Sequence, residues 1–446
     1  MIPSMNLSKF TTSLESLTSD LHLWDVSTTQ VGIKESKVIN YYPLSSIENS
    51  ETITFNIPGQ NKLYLDFIEV ITKVKLENIP NDKPQISVNN NLANSLWKNV
   101  SVSVGGVNIT QSFDYAYAIS RFFDIALNST QDRSEALLYQ MGFLMDVGGS
   151  KAESESLTVY KVEAVVDPPS PELTVANTAL PRRIEQFTAD AATPGIRVGT
   201  LIAPLGCSLL DQGKLLPDNL DIQIALTKKE PKFCLQAPAN TNAKLTITNV
   251  YLKVHYKIPV DEACEGINMR LLREPARYES EAKIVTFHQF PYGVAVHKFN
   301  NLFTGKLPKF FVCGINNRAA YAGNPHRNPW TFFRIKKAQL WSNGEPYYPK
   351  ELDGQAELYD AFQQGVGYKI KGSCLINPTN FGIHNILTFP LTADRSVRHH
   401  MNLMKTGVVD LEIELEHITG QDYCLVVYAI YDRLIEIDNF RQITLI

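Results

Sequence analysis

The sequence predicts an all-β chain: two β-sandwiches in tandem, with short helices inserted between strands. Three observations predict it. Several segments alternate apolar and polar residues with period two, the spacing of a half-buried strand. Others are dense in β-branched and aromatic residues and end at Gly, Asn or Pro turn signals. The order strand, hairpin, helix, strand, strand then runs twice along 446 residues, a length that accommodates two domains. The eight-stranded jelly roll is one sandwich of this kind.

In the first half, Leu96–Ile109 reads LWKNVSVSVGGVNI, two strands around a Gly105-Gly106 hairpin turn. Asp114–Leu127 follows, with Tyr117, Arg121, Phe122 and Ile125 at helical spacing. The interval before the next strands is long. Residues 146–200 contain GGSKAESES, DPPSPEL and ATPG, so they read as an extended loop or insertion with short strands such as Leu157–Val166. Leu220–Leu226 alternates again, and Leu245–Ile258, LTITNVYLKVHYKI, is a long aromatic and β-branched strand. Residues 261–277 lack alternation, and their charges and proline suit a linker with a short helix.

The second half repeats the order. Lys309–Ile315 reads as a strand, Asn316–Pro329 as a long loop and Trp330–Leu340 as a new strand. Pro325 and Pro329 cannot donate to a sheet ladder, and each drives the preceding Asn toward extended backbone. Phe333–Tyr347 carries a hairpin turn at Asn343-Gly344, and Gln355–Gln364 reads as a helix. Val409–Glu416 alternates aliphatic and acidic residues without a fault, and Tyr423–Leu434 is the second long aromatic strand. The expected organisation is an N-terminal arm at 1–30, a first sandwich at 31–260, the linker at 261–277, and a second sandwich with a C-terminal tail at 278–446.

Composition narrows function. Charged residues make up 20% and the net charge is −4. A fold that grips nucleic acid with its own body shows a basic excess or stripe, and this chain has neither. Its short basic clusters, Arg182-Arg183, Lys228-Lys229, Lys336-Lys337 and Arg395–His400, read as solvated faces. The cysteines Cys207, Cys234, Cys264, Cys313, Cys374 and Cys424 lie far apart, without zinc spacing, and read as buried small hydrophobes of a reducing compartment. No secretory signal and no apolar run of membrane-spanning length is visible. The glycosylation patterns at Asn6, Asn99, Asn108 and Asn128 therefore read as chance.

No catalytic constellation emerges. Glu412, Glu414 and Glu416 share one strand face, which suits a wet outer surface better than acid/base work. The histidines show no HExxH or HxxxH spacing, His326 has no second ligand at a fixed offset, and no GxSxG or phosphate-binding glycine loop occurs. Neither a cofactor nor a metal is expected.

Several stretches together resemble one family. They are ITFNIPGQNKLYLDFIEVITKVKL at 53–76, SLWKNVSVSVGGVNI at 95–109 with the Tyr-rich helix after it, LLPDNLDIQIAL at 215–226, and NLFTGKLPKFFVCGINNRAAYAGNPHRNPWTFF at 301–333. In this order, over roughly residues 40–435, they resemble the double jelly-roll major capsid proteins of the Polinton (Maverick) and adintovirus type. The resemblance implies two jelly rolls side by side in each chain. It also implies homotrimers of pseudo-hexagonal outline that tile an icosahedral shell around double-stranded DNA, without turnover and without sequence-specific DNA contacts. Its partners would be copies of itself and a separate penton protein, and its location the virion, assembled inside a host cell.

Within that reading the loop Asn316–Pro329, long, proline-bearing and flanked by aromatics, is the candidate inter-subunit or packing element. Its named residues are Asn316, Arg318, Tyr321, Asn324, Pro325, Pro329 and Trp330. Two rivals stand beside it. One is a carbohydrate- or receptor-binding β-protein using Trp330, Trp341, Tyr347 and Tyr348 to stack on sugars. The other is a host-domesticated capsid gene.

Overall fold

The computed structural model describes residues 26–79, 86–110, 116–146, 159–162, 173–176, 179–236, 242–323, 328–367, 374–395, 400–416 and 422–446. The strands of the first half are β1 (Ile33–Tyr41), β2 (Thr52–Ile57), β3 (Tyr64–Glu77), β4 (Ser87–Val88), β5 (Trp97–Val104), β6 (Val107–Asn108) and β7 (Val159–Val162). They continue with β8 (Leu173–Ala176), β9 (Thr188–Ala189), β10 (Arg197–Pro204), β11 (Ile222–Lys228), β12 (Leu235–Gln236) and β13 (Lys244–Pro259). The second half has β14 (Ala276–Phe290), β15 (Val296–Lys306), β16 (Phe310–Asn317), β17 (Ile335–Ser342) and β18 (Glu345–Pro346). It ends with β19 (Leu352–Asp353), β20 (Ile386–Pro390), β21 (Thr406–Leu415), β22 (Tyr423–Ile437) and β23 (Ile443–Leu445). The helices are α1 (Leu92–Ser95), α2 (Ala116–Asn128), α3 (Ser134–Met141), α4 (Ala179–Glu185), α5 (Asp261–Leu271), α6 (Arg318–Tyr321), α7 (Gln355–Val366) and α8 (Pro378–Phe381).

The first half packs the sheet β1-β13-β3-β10-β9 against β2-β11-β5-β6. The second packs β14-β22-β16-β20 against β15-β21-β17-β18. Every strand pairing among the described residues joins strands of the same half, and the ladders are antiparallel. Alternation explains each inner face. Ile53, Phe55 and Ile57 of β2, Ile222, Ile224 and Leu226 of β11, and Val100, Val102 and Val104 of β5 point inward. They meet Ile68, Val70, Val74 and Leu76 of β3 and Val250, Leu252 and Val254 of β13. In the second half, Val409, Leu411, Ile413 and Leu415 point inward while Asp410, Glu412 and Glu414 stay on the wet side.

Both expected hairpin turns occur. Gly105 and Gly106 have φ of 54° and 81°, and Asn343 and Gly344 have 54° and 82°, the pair of left-handed residues that suits a twisted two-residue turn. The helices expected at Asp114–Leu127 and Gln355–Gln364 are α2 and α7, the latter ending at Gly367 with φ 77°.

Four local expectations are corrected. The strand expected from Trp330 starts at Ile335, because Asn328 folds the chain first: its Oδ1 accepts from Trp330 N at 3.0 Å. Asn316 and Asn317 end β16 instead of opening a loop, and the Asn317 side chain caps α6 by accepting from Ala319 N. The stretch 146–200 holds the expected short strand β7, paired with β8, but also α4, buried on Arg183 and Ile184, and the start of β10, which lies inside a sheet because its Leu201 and Ala203 face the core. The tail Asp438–Ile446, which reads from the sequence as an arm crossing to a neighbour or a frayed end, instead ends in β23 paired with β22 of its own chain. The expected arm at Met1–Asp25 lies outside the described residues.

Candidate functional site: the joint between the two sandwiches

Helix α2 belongs to the first half but inserts its aromatic face into the second. Phe122 stacks on Trp330 at 4.8 Å between centroids and 20° between planes. Phe123 stacks on Phe332 at 5.7 Å and on Tyr428 at 5.6 Å. Phe233, also of the first half, meets Trp330 edge-on at 6.2 Å. Phe122, Phe123 and Tyr428 are fully buried, and Trp330 is 1% exposed. Each such pair adds about 0.5–1.5 kcal/mol beyond its buried area. The cost is that the Trp330 indole N–H finds no acceptor among the described residues.

A buried polar cluster lies beside the rings. Asp146 pairs with Arg183, and both side chains are essentially inaccessible to solvent. Asn328 Nδ2 donates to Asp146 Oδ2 at 2.9 Å, and Arg183 Nη1 donates to Val88 O at 3.2 Å. His384 bridges the halves: Nδ1 lies 2.8 Å from Trp330 O and Nε2 lies 3.1 Å from Asp146 O. A neutral imidazole donates from one nitrogen only. Burial nevertheless pushes its pKa down to about 4, and the Arg183 charge acts in the same direction. The expectation of a solvated Arg182-Arg183 pair is thus corrected for Arg183, because a carboxylate is buried with it. Arg182 behaves as expected and pairs with Glu135 at the surface.

On the other side of α2 an open cleft of about 1000 Å³ separates the halves. Asp124 on α2 accepts from Lys283 of β14 at 2.7 Å and from Tyr428 of β22 at 2.6 Å. Burial raises the Asp124 carboxyl, but Lys283 and Arg121 outweigh it and hold the group below its ordinary range. Asp211, lacking such a lysine bond, is raised, chiefly by burial. Lys309 lies between Glu281 at 2.9 Å and Asp432 at 2.8 Å. Burial lowers it, yet the two carboxylates win and its pKa rises. Arg433 donates to Ile109 O at 2.9 Å and Arg441 to Asp218 at 2.6 Å, two more bonds from second half to first. The chemistry of this cleft is ion pairing already satisfied within the chain. Among the described residues no group of three His, Cys, Asp or Glu side chains is placed to hold a metal.

The candidate loop lies at this joint. Asn316, Tyr321, Pro329 and Trp330 are buried, and Arg318 is exposed. Tyr321 Oη donates to Pro329 O at 2.9 Å, and Asn316 Nδ2 reaches Asn328 O at 3.2 Å. The buried members contact their own chain. Asn324 and Pro325, with His326, lie outside the described residues. The sugar-stacking expectation is also revised: Trp330 is enclosed, Trp341 lies under Lys298 at 4.1 Å, and Tyr347 packs edge-on against Tyr348 with Arg395 over its ring at 4.2 Å. Glu414 of the acidic strand pairs with Lys336 at 2.6 Å on the outer surface. Sequence reasoning missed Asp146, Arg183 and His384, which lie far apart in the chain. The one available signal was Phe122 on the helical stripe of α2. All six cysteines are buried and unpaired, and no helix among the described residues is long and apolar enough to cross a membrane.

Comparison with known proteins fits this architecture. No family model matches the chain. An uncharacterised protein of Caenorhabditis elegans is 22% identical over 410 residues, covering 87% of each chain. Among solved structures, a chain of the Sputnik virophage superposes with a TM-score of 0.69 at 10% identity, covering 99% of this chain and 94% of that one. The mavirus major capsid protein superposes with 0.60 at 14% identity, covering 99% and 97%. The Faustovirus major capsid protein gives 0.57 at 10% identity, covering 92% of each. These likenesses, spanning both sandwiches and the joint between them, establish the fold of the chain as a double jelly roll.

Proposed function

We propose that this chain is a major capsid protein, a structural subunit that builds a closed shell and performs no reaction. The observation that carries the reading is the joint: two jelly rolls, built from β1–β13 and β14–β23, are locked into one body by buried rings and ion pairs, and that whole body superposes on viral capsid subunits. A shell needs rigid repeating blocks with satisfied interiors, because each lateral contact is weak and geometry must be reproduced at every copy. The chain assembles as homotrimers of pseudo-hexagonal outline, and these tile an icosahedral shell enclosing double-stranded DNA. A charge of −4 supports a shell that encloses its genome without gripping it through the folded surface. A separate penton protein closes the vertices, and the finished shell is the virion. The motif order in the sequence favours the Polinton and adintovirus type. The relative in a nematode also supports a copy carried in an animal genome. Expression of the single chain followed by negative-stain microscopy tests the reading: six-lobed trimers or shells support it, and persistent monomers refute it.

A further inference from the structure

Between the linker helix α5 and the turn at 438–442 lies a cup of about 330 Å³. Leu271, Leu272 and Phe440 supply its apolar lining. Leu272 is 66% exposed and Phe440 77%, and Met269, three residues before Leu272 and so beside it on the helix, is 56% exposed. Single exposed apolar residues are ordinary, but a group of them around a concavity marks a contact surface. Arg441, the charged member of the lining, is already engaged. Its Nη2 donates to Asp218 Oδ1 at 2.6 Å and to Asn268 Oδ1 at 3.4 Å, and its Nε donates to Asp218 O at 2.8 Å. An occupant of the cup therefore gains by bringing apolar side chains. At the rim, Arg273 follows Leu272, is exposed and has no ion pair among the described residues.

The chain supplies such an occupant close by. β1 begins at Ile33 opposite Pro259, and Val260 N, at the N-cap of α5, donates to Gly32 O at 3.1 Å. The polypeptide that precedes β1 thus enters beside the first turn of α5. Residues 26–32 can extend up to about 23 Å, farther than the roughly 16 Å length of the 11-residue helix. Residues 1–25 lie outside the described residues, and their sequence carries a pattern. Phe10, Leu14, Leu17, Leu21 and Trp24 recur at steps of four and three, the anchor spacing of a helix laid in an apolar groove. Between Phe10 and Leu21 every residue off that stripe is Ser, Thr, Glu or Asp. The carboxylates Glu15, Asp20 and Asp25 outnumber Lys9, which complements Arg273 at the rim.

We propose that Met1–Asp25 docks its apolar stripe into this cup and over Leu272 and Met269 of its own chain, covering the linker between the two jelly rolls. The docking holds for a lone chain as for an assembled one. The test is hydrogen exchange, wild type against full-length Leu14→Glu/Leu21→Glu and against a chain starting at residue 26. The amides of 268–272 and 439–442 are expected to exchange roughly tenfold faster or more in both variants, with those of β22 like wild type. If the shortened chain fails to fold, the full-length variant decides. Equal exchange in wild type and the full-length variant overturns the docking. A second measurement identifies the occupant. Ser13→Cys/Asn439→Cys leaves the stripe and Phe440 intact, and all six native cysteines are buried. A short bis-maleimide is expected to join the two introduced thiols within one chain. Isotope-labelled and unlabelled chains are mixed before the reaction. Links between labelled and unlabelled chains overturn the own-chain occupant in favour of a second copy, and the lack of any link at position 439 overturns the docking itself.

Discussion

Phe122 and Trp330 stack in parallel across the joint, one ring from each jelly roll, and both are inaccessible to solvent. That contact makes the two sandwiches one mechanical unit. Trp330→Ala is expected to cost about 3–5 kcal/mol in denaturant unfolding. Trp330→Phe keeps a ring against Phe122 and removes an indole N–H that finds no acceptor among the described residues, so its cost is expected below about 1.5 kcal/mol. Equal losses in the two variants would contradict the stacking account.

Arg182 and Arg183 are adjacent in sequence and opposite in environment. Arg183→Met leaves the Asp146 carboxylate buried without its cation and is expected to cost about 3–5 kcal/mol. Arg182→Met breaks a solvent-exposed pair with Glu135 and is expected to cost less than about 1 kcal/mol. Chemical denaturation of the two variants side by side checks the contrast.

His384 gives the fold a defined acid sensitivity. Its folded pKa lies near 4, below the ~6.5 of an unfolded histidine. The unfolded chain therefore binds this proton first as pH falls. Stability from the neutral ring is complete above pH ~6.5, declines from there toward pH ~4, and then stays flat, a loss of about 3 kcal/mol in all. Asp124 and Asp432, held low by their cations, lose their contributions at more acidic pH. The unfolding free energy of His384→Gln is expected to vary much less over that window than that of the wild type, and parallel curves would contradict the assignment.

Gly206 abuts the Arg121 side chain with φ of 75°, and a Cβ there would lie 2.5–2.6 Å from Arg121 Cδ and Cζ. Gly206→Ala combines backbone strain with this clash. It is expected to cost about 1–3 kcal/mol and to lower the melting temperature.

The strands were legible where one face is buried and the other wet, as in Val409–Glu416, and the hairpins where Gly supplies positive φ. Strand β14 was not, because it faces the other jelly roll: Ser280 is buried and bonded to Ser208, so polarity no longer marks the outer side. Trp330 was recognisable as a packing residue, but its partners on α2 were not, since nothing local couples positions so distant in the chain. The same reason hid Arg183. A charge run reads as solvated until the fold brings a carboxylate to it. The joint is a product of tertiary contact, and periodicity reports only the environment of one element at a time.

The proposed role makes the doubled jelly roll a self-assembling building block. Electron microscopy of the purified full-length chain tests it most directly. Threefold particles with a six-lobed outline, or closed shells made of them, are expected. A uniform population of single, unassociated chains at every concentration would contradict it.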